Sequence, residues 1–159
     1  MSDLLRDTSS DLYKINSDLT ELAVDAAVQN GAKYADARVV ERRHELISTQ
    51  NDGLEPILIE SDCGIGIRAL YEFGWGFTST GNLSRASIIR AGARAAKIAQ
   101  ANAPVVRRPM ALSTVKPVRG HWVSCYQIDP FSIPLSDKAD LLIATTAIMR
   151  ESGCSSART

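Results

Sequence analysis

Between Gly53 and Ser84 apolar residues alternate with period two and are punctuated by glycines, a pattern an antiparallel sheet satisfies and a helix does not. Asn51-Asp52-Gly53 opens the stretch with a turn signal, because Asp-Gly tolerates the positive φ that hairpin turns need. Leu54 to Glu60 reads as a first strand, with Pro56 placing it at an edge or a bulge. Ile65, Ile67 and Ala69 alternate with Gly66, Arg68 and Leu70 in a second. Trp75, Phe77 and Ser79 alternate with Gly76, Thr78 and Thr80 in a third, and Tyr71 to Gly74 is the turn between them.

Gly64, Gly66 and Gly76 fall in or beside these strands, where a glycine marks a bulge or the close approach of something flat. Two readings follow: packing beneath an aromatic ring from Phe73 or Trp75, or another backbone, such as a substrate peptide, laid against the sheet. Arg68 shares a face with Gly66 and Leu70, and its guanidinium is suited to a carboxylate, either a structural Asp or Glu or the end of a peptide. Gly64, Gly66, Arg68, Trp75, Gly76 and Phe77 are therefore the candidates for a substrate channel or for packing.

The elements around this sheet are helical. Leu19, Leu22, Ala23, Ala26 and Ala27 form one apolar stripe, predicting a helix from about Asp18 to about Asn30, with Asp18 and Glu21 as a capping box and Gly31 as its stop. Tyr34 to Glu41 alternates as a half-buried strand. Ser84 is the expected N-cap of a second helix to about Asn102, buried through Ile88, Gly92, Ala95, Ala96 and Ala99. Arg90, Arg94 and Lys97 read as its solvated face.

Beyond it, Pro104, Pro109 and Pro117 with four basic residues mark a linker. Trp122, Val123 and Tyr126 predict a strand. Asp129-Pro130 predicts a turn, and Ile133 to Ser136 opens a third helix to about Arg150. The expected organisation is a flexible segment 1–17, a helix–sheet–helix core 18–103, a Pro/basic linker 104–119, a strand and closing helix 120–150, and a disordered tail 151–159. The expected fold class is α/β of the α+β type: a mixed, mostly antiparallel sheet packed against two long helices.

The phrases GIGIRAL, GWGFTST and NLS opening an alanine-rich helix, with Asp129-Pro130-Phe131 further on, resemble the TldD/PmbA family. The resemblance runs from about Leu19 to Arg150 and covers only the family's N-terminal region. Members are described as modulators of DNA gyrase and as zinc-dependent peptidases. The resemblance implies a first, non-catalytic domain that builds part of a substrate channel and a dimer interface, with a homo- or heterodimer of family members and a peptide substrate. It also implies zinc, but only in the C-terminal region of a full-length relative.

The residues agree that no catalytic centre is present. The family's motif needs His-Glu, a spacer and a second His, whereas His44 and His121 each stand alone. No cofactor, metal ligand or catalytic residue is assigned to this chain, and no Walker A loop occurs. Eighteen basic residues balance eighteen acidic ones, which removes the usual electrostatic footprint of a nucleic-acid binder. No apolar run reaches membrane length and the N-terminus has no secretory h-region. Three dispersed cysteines, Cys63, Cys125 and Cys154, give no disulfide framework, so a cytoplasmic location is expected. The other functional readings are a stand-alone protein-interaction module and a truncated gene product without activity.

Overall fold

The computed structural model describes residues 4–109, 112–113 and 115–159, with side chains from residue 17 onward. The chain divides into two compact units: Met1–Arg42 with Asp62–Thr114, and Arg43–Ser61 with Val115–Thr159. The element order is α1 (Leu4–Gln29), β1 (Tyr34–Leu46), β2 (Thr49–Gln50), β3 (Gly53–Leu54), β4 (Leu58–Tyr71), β5 (Gly74–Thr80), α2 (Arg85–Asn102) and α3 (Leu135–Glu151). The class is the expected one, α+β with an antiparallel sheet.

In the first unit the sheet order is β1-β4-β5. β4 and β5 are antiparallel, joined by Glu72-Phe73, with Arg68 opposite Phe77 and Ala69 opposite Gly76. β1 also runs antiparallel to β4, since Lys33 donates to the Leu70 carbonyl while Asp36 lies at Arg68. Ile65, Ile67 and Ala69 point to one face and are fully buried with Ala23 and Ala27 of α1 and Ile88, Ala95, Ala96 and Ala99 of α2. Both apolar stripes read from the sequence are the buried ones. Ser84 caps α2 by accepting from the Ser87 amide, and Gly31 ends α1 with φ 96°.

Alanine and glycine fill this interior, so the elements meet backbone to backbone. A Cβ on Gly92 would stand 2.5 Å from the Ala23 carbonyl oxygen of α1. One on Gly76 would run into the Ala95 carbonyl and the Ala99 amide of α2. The glycine at 76 is thus required by helix packing on the inner face.

α1 is longer than expected. It starts at Leu4, and Ser17 lies inside it with its hydroxyl 3.4 Å from Glu21. Asp18 therefore caps nothing, because local capping signals yield when the preceding residues also take helical geometry. Residues 1–3 of the expected flexible segment, and residues 110, 111 and 114 of the expected linker, lie outside the described residues.

The second unit contains the β2–β3 hairpin, a long irregular segment and α3. The hairpin pairs Thr49 with Leu54 and Gln50 with Gly53, and Asn51, not Asp52-Gly53, takes the positive φ (54°). Pro56 lies between strands, so Leu54 to Glu60 is not one strand; Leu58–Tyr71 is. The expected strand around Trp122 is absent: residues 120–126 are irregular and exposed, and β propensity has no effect without a neighbouring edge to pair with. α3 matches the expected third helix, preceded by a turn capped by Asp129.

Residues 151–159 are not a disordered tail. Thr49 donates to and accepts from Thr159 (2.8 and 3.1 Å), and Asn51 donates to the Ala157 carbonyl. Ala157 is buried, and Arg158 pairs with Glu55 at 2.8 Å. A short polar run shows no periodicity, yet its backbone groups pair with the hairpin and its side chains reinforce the contact.

Two predictions follow from these contacts. Gly76→Ala forces two backbones apart and costs about 3 kcal/mol in chemical denaturation, whereas Gly66→Ala meets only a movable ring and costs less than about 1 kcal/mol; equal costs would refute the assignment of Gly76 to helix packing. Glu55 is held below the ordinary carboxyl range, first by the Ser48 hydroxyl and then by Arg158. Its contribution is full above the unfolded carboxyl pKa and fades as pH falls through the lowered folded one. The Thr49 and Thr159 amides should accordingly lose hydrogen-exchange protection in Glu55→Gln near neutral pH, and in the wild type only in acid.

Candidate functional site

The sheet of the first unit has one face against the helices and one face away from them. Residue parity decides which residues lie on each. Gly64, Gly66, Arg68 and Leu70 of β4 lie on the outer face with Trp75, Phe77 and Ser79 of β5. Five of the six candidate residues therefore lie on one face, and Gly76 is the exception, buried on the other side.

Arg68 is fixed by a structural carboxylate. Its Nε lies 3.1 Å from both oxygens of Asp36 and its Nη2 donates to Oδ2 at 2.8 Å. The guanidinium also stands 5.4 Å from the centre of the Trp75 ring, which Tyr34 meets edge-on at 6.1 Å. The hydrogen bonds to Asp36 raise the Arg68 pKa above its ordinary value. Burial, then the Asp36 charge, raises that of Tyr34. Tyr34, Asp36, Arg68 and Trp75 thus form one linked patch with no free cation.

Phe77 lies across the strand pair. A Cβ on Gly66 would sit 3.3 and 3.4 Å from two carbons of its ring, so Gly66 provides the floor for Phe77. The flat surface over the glycine comes from Phe77, not from Phe73 or Trp75. The ring itself is 59% exposed.

The sheet ends at β5, whose second edge carries no strand among the described residues. A groove of about 650 Å³ follows that edge, between Phe77–Thr80 on one side and Ser87, Arg90, Ala91, Arg94 and Ile98 of α2 on the other. Read from the sequence, Arg90 and Arg94 were only a solvated helix face; the pairing of β5 with α2 brings them to an open backbone. The available signal was their four-residue spacing on a helix whose other face packs on that strand.

Reactive side chains do not converge. Among the described residues no three His, Cys, Asp or Glu side chains are placed to hold a metal ion. His44 stands 3.7 Å from Glu60 with both side chains about half exposed, and His121 lies in an irregular exposed segment. The described residues do not fit a zinc site. The first unit leaves two surfaces uncovered among the described residues, an aromatic face and a strand edge. No helix among the described residues is long and apolar enough to cross a membrane.

Comparison with known proteins places this architecture. Residues 35–99 match the model of PmbA/TldA metallopeptidase domain 1. A metalloprotease of Methanocaldococcus jannaschii is 24% identical over 112 residues, which are 70% of this chain and 25% of that protein. The fold is shared with a Bacteroides thetaiotaomicron protein described as a candidate modulator of DNA gyrase, at TM-score 0.63 and 16% identity, over 81% of this chain and 29% of the other. It is shared also with TldE from Thermococcus kodakarensis, at TM-score 0.58 and 16% identity, over 85% of this chain and 30% of the other. The chain spans about a quarter of the length of the curated relative it matches.

The Tyr34 patch has a direct test. In Asp36→Asn the Tyr34 phenol should titrate closer to free tyrosine, without reaching it, because partial burial remains. An unmoved Tyr34 titration, followed by NMR of its ring, would show that Asp36 does not act on it.

Proposed function

We propose that the chain, whose residues 35–99 match the first domain of the PmbA/TldA metallopeptidases, is a non-catalytic N-terminal part of such a peptidase. Its work is to form part of the path along which a peptide reaches the catalytic centre, and part of an interface between subunits. In this reading the metal and the residues that activate water belong to the part of such a peptidase that these 159 residues do not match. Zinc is the expected metal there, where a tetrahedral site with an open position would supply the nucleophile for peptide hydrolysis.

One observation carries the interface reading. From Val115 to Ile128 the second unit runs as an irregular segment with Val118 and Trp122 85% and 84% exposed, and with Val115, Val123, Tyr126 and Ile128 also largely uncovered. So many exposed apolar side chains along one segment suit a surface that another polypeptide covers. The segment is irregular and its backbone is unpaired among the described hydrogen bonds, so a partner can take both its side chains and its backbone groups. The outer aromatic face and the β5 edge support the channel reading, since extended peptides bind along sheet edges through main-chain hydrogen bonds.

Two measurements test this. The purified chain should contain no stoichiometric zinc by elemental analysis and should leave unfolded β-casein uncleaved; zinc at one equivalent together with cleavage would defeat the non-catalytic reading. Sedimentation should show self-association that Val118→Ser with Trp122→Ser abolishes while the far-ultraviolet spectrum stays the same. A wild-type chain that is monomeric at all concentrations would remove the interface role.

A further inference from the structure

We infer that the open edge of β5 receives an extended peptide segment that carries acidic side chains at alternate positions, read by Arg90 and Arg94. The inference deepens the channel reading above by naming the chemistry of the segment.

The first support is geometric. α2 lies antiparallel along β5, and the two keep step. A Cβ on Gly74 would meet Ala99 and Ala103, one on Gly76 would meet Ala95 and Ala99, and Thr78 donates to the Ala91 carbonyl at 2.7 Å. Two residues along the strand thus correspond to four along the helix. The physical repeats agree, since four helical residues rise about 6 Å and two strand residues about 6.7 Å. Arg90 and Arg94, four apart, therefore stand along the groove at the two-residue repeat of any strand added to β5. On such a strand every second side chain points toward α2, as Thr78 and Thr80 do in β5.

The second support is charge. Neither arginine has an acidic partner among the described ion pairs, and Arg90 is oriented by donating to the Ser87 hydroxyl at 2.9 Å. No Asp or Glu lines the groove. The composition explains why: between Glu72 and Asp129 the chain carries eight Arg and Lys residues and no acidic residue, although it is neutral as a whole. An acidic strand is complementary to this groove, whereas a basic one would meet two unshielded guanidinium groups.

The third support is the edge itself. Free N–H and C=O groups on one side favour a polypeptide occupant over a phosphate chain, because a nucleic acid offers the arginines anions but leaves the strand's hydrogen-bonding groups unpaired. Phe77 closes the groove on the outer side with an exposed ring, against which the intervening apolar side chains of the added strand can lie.

The test uses the full chain and two short, capped, fluorescent peptides. One alternates glutamate with valine; the other has glutamine in place of glutamate. Fluorescence anisotropy should show the glutamate peptide binding at least ~10-fold more tightly, with an advantage that shrinks as salt is raised. Arg90→Gln with Arg94→Gln should erase the difference between the peptides. Arg85→Gln, on an exposed position of the same helix outside the groove, should preserve it. NMR shifts on peptide addition should centre on the amides of residues 77–80. Equal affinity for both peptides, with shifts still centred on residues 77–80, would overturn the acidic preference and leave the channel reading standing. Shifts centred elsewhere, or a preference that survives in the double variant, would overturn the site. Displacement of the glutamate peptide by oligothymidine at equal concentration would overturn the choice of a polypeptide occupant.

Discussion

The backbone-to-backbone contact between α2 and the inner face of β5 is the constraint on which the first unit depends. At Gly76 strand and helix approach so closely that no side chain fits between them, and at Gly92 the two helices do the same. The small side chains of Ala23, Ala27, Ala95 and Ala99 follow from that spacing, as larger ones would hold the layers apart. Among the described residues Ile65, Ile67 and Ile88 are the large, fully buried apolar side chains of this interior. A core of this kind derives less from hydrophobic area than one built of leucine and phenylalanine, and more from close van der Waals contact over long matched surfaces. It is correspondingly intolerant of added volume.

The same contact determines what the surface can do. Because α2 is held in step with β5, its outward residues stand at fixed heights along the strand edge. Arg90 and Arg94 acquire a register that an isolated helix would not give them. On the outer face the opposite holds: Arg68 spends its hydrogen bonds on Asp36 and rests over Trp75, leaving little for a ligand. The most conspicuous charge in the sheet is thus structural, while two charges of ordinary appearance border the accessible groove. Partner geometry, more than residue type, separates these roles.

The strands of the Ile65–Thr80 hairpin, the cap at Ser84 and the stripes of α1 and α2 were legible because each is a local pattern. Period two, period 3.6 and a hydroxyl before a helix need no knowledge of distant residues. The faces of Gly64, Gly66, Arg68, Trp75 and Phe77 followed from parity alone. What parity could not supply was which glycine had which neighbour: Gly66 lies under Phe77 from the adjacent strand, and Gly76 lies under a helix nearly twenty residues on. The failures share one cause. Trp122 has strand-forming neighbours but no edge to pair with, and residues 157–159 have no pattern but find one at Thr49. Pairing is a property of two segments, and a single segment's composition does not reveal it.

Sheets with an uncovered edge are liable to add strands indiscriminately, and charged side chains near the edge are one means by which proteins restrict this. The cations beside β5 fit that function only in part. They stand in one line along a groove with no carboxylate, so they repel a basic segment and attract an acidic one. A purely protective edge would be served by charges of either sign, pointing into solvent. A matched pair at the strand repeat discriminates between added strands by their alternate side chains. The distinction bears on the peptidase reading, because main-chain hydrogen bonding alone accepts any extended sequence, and any preference must come from side chains placed at that repeat.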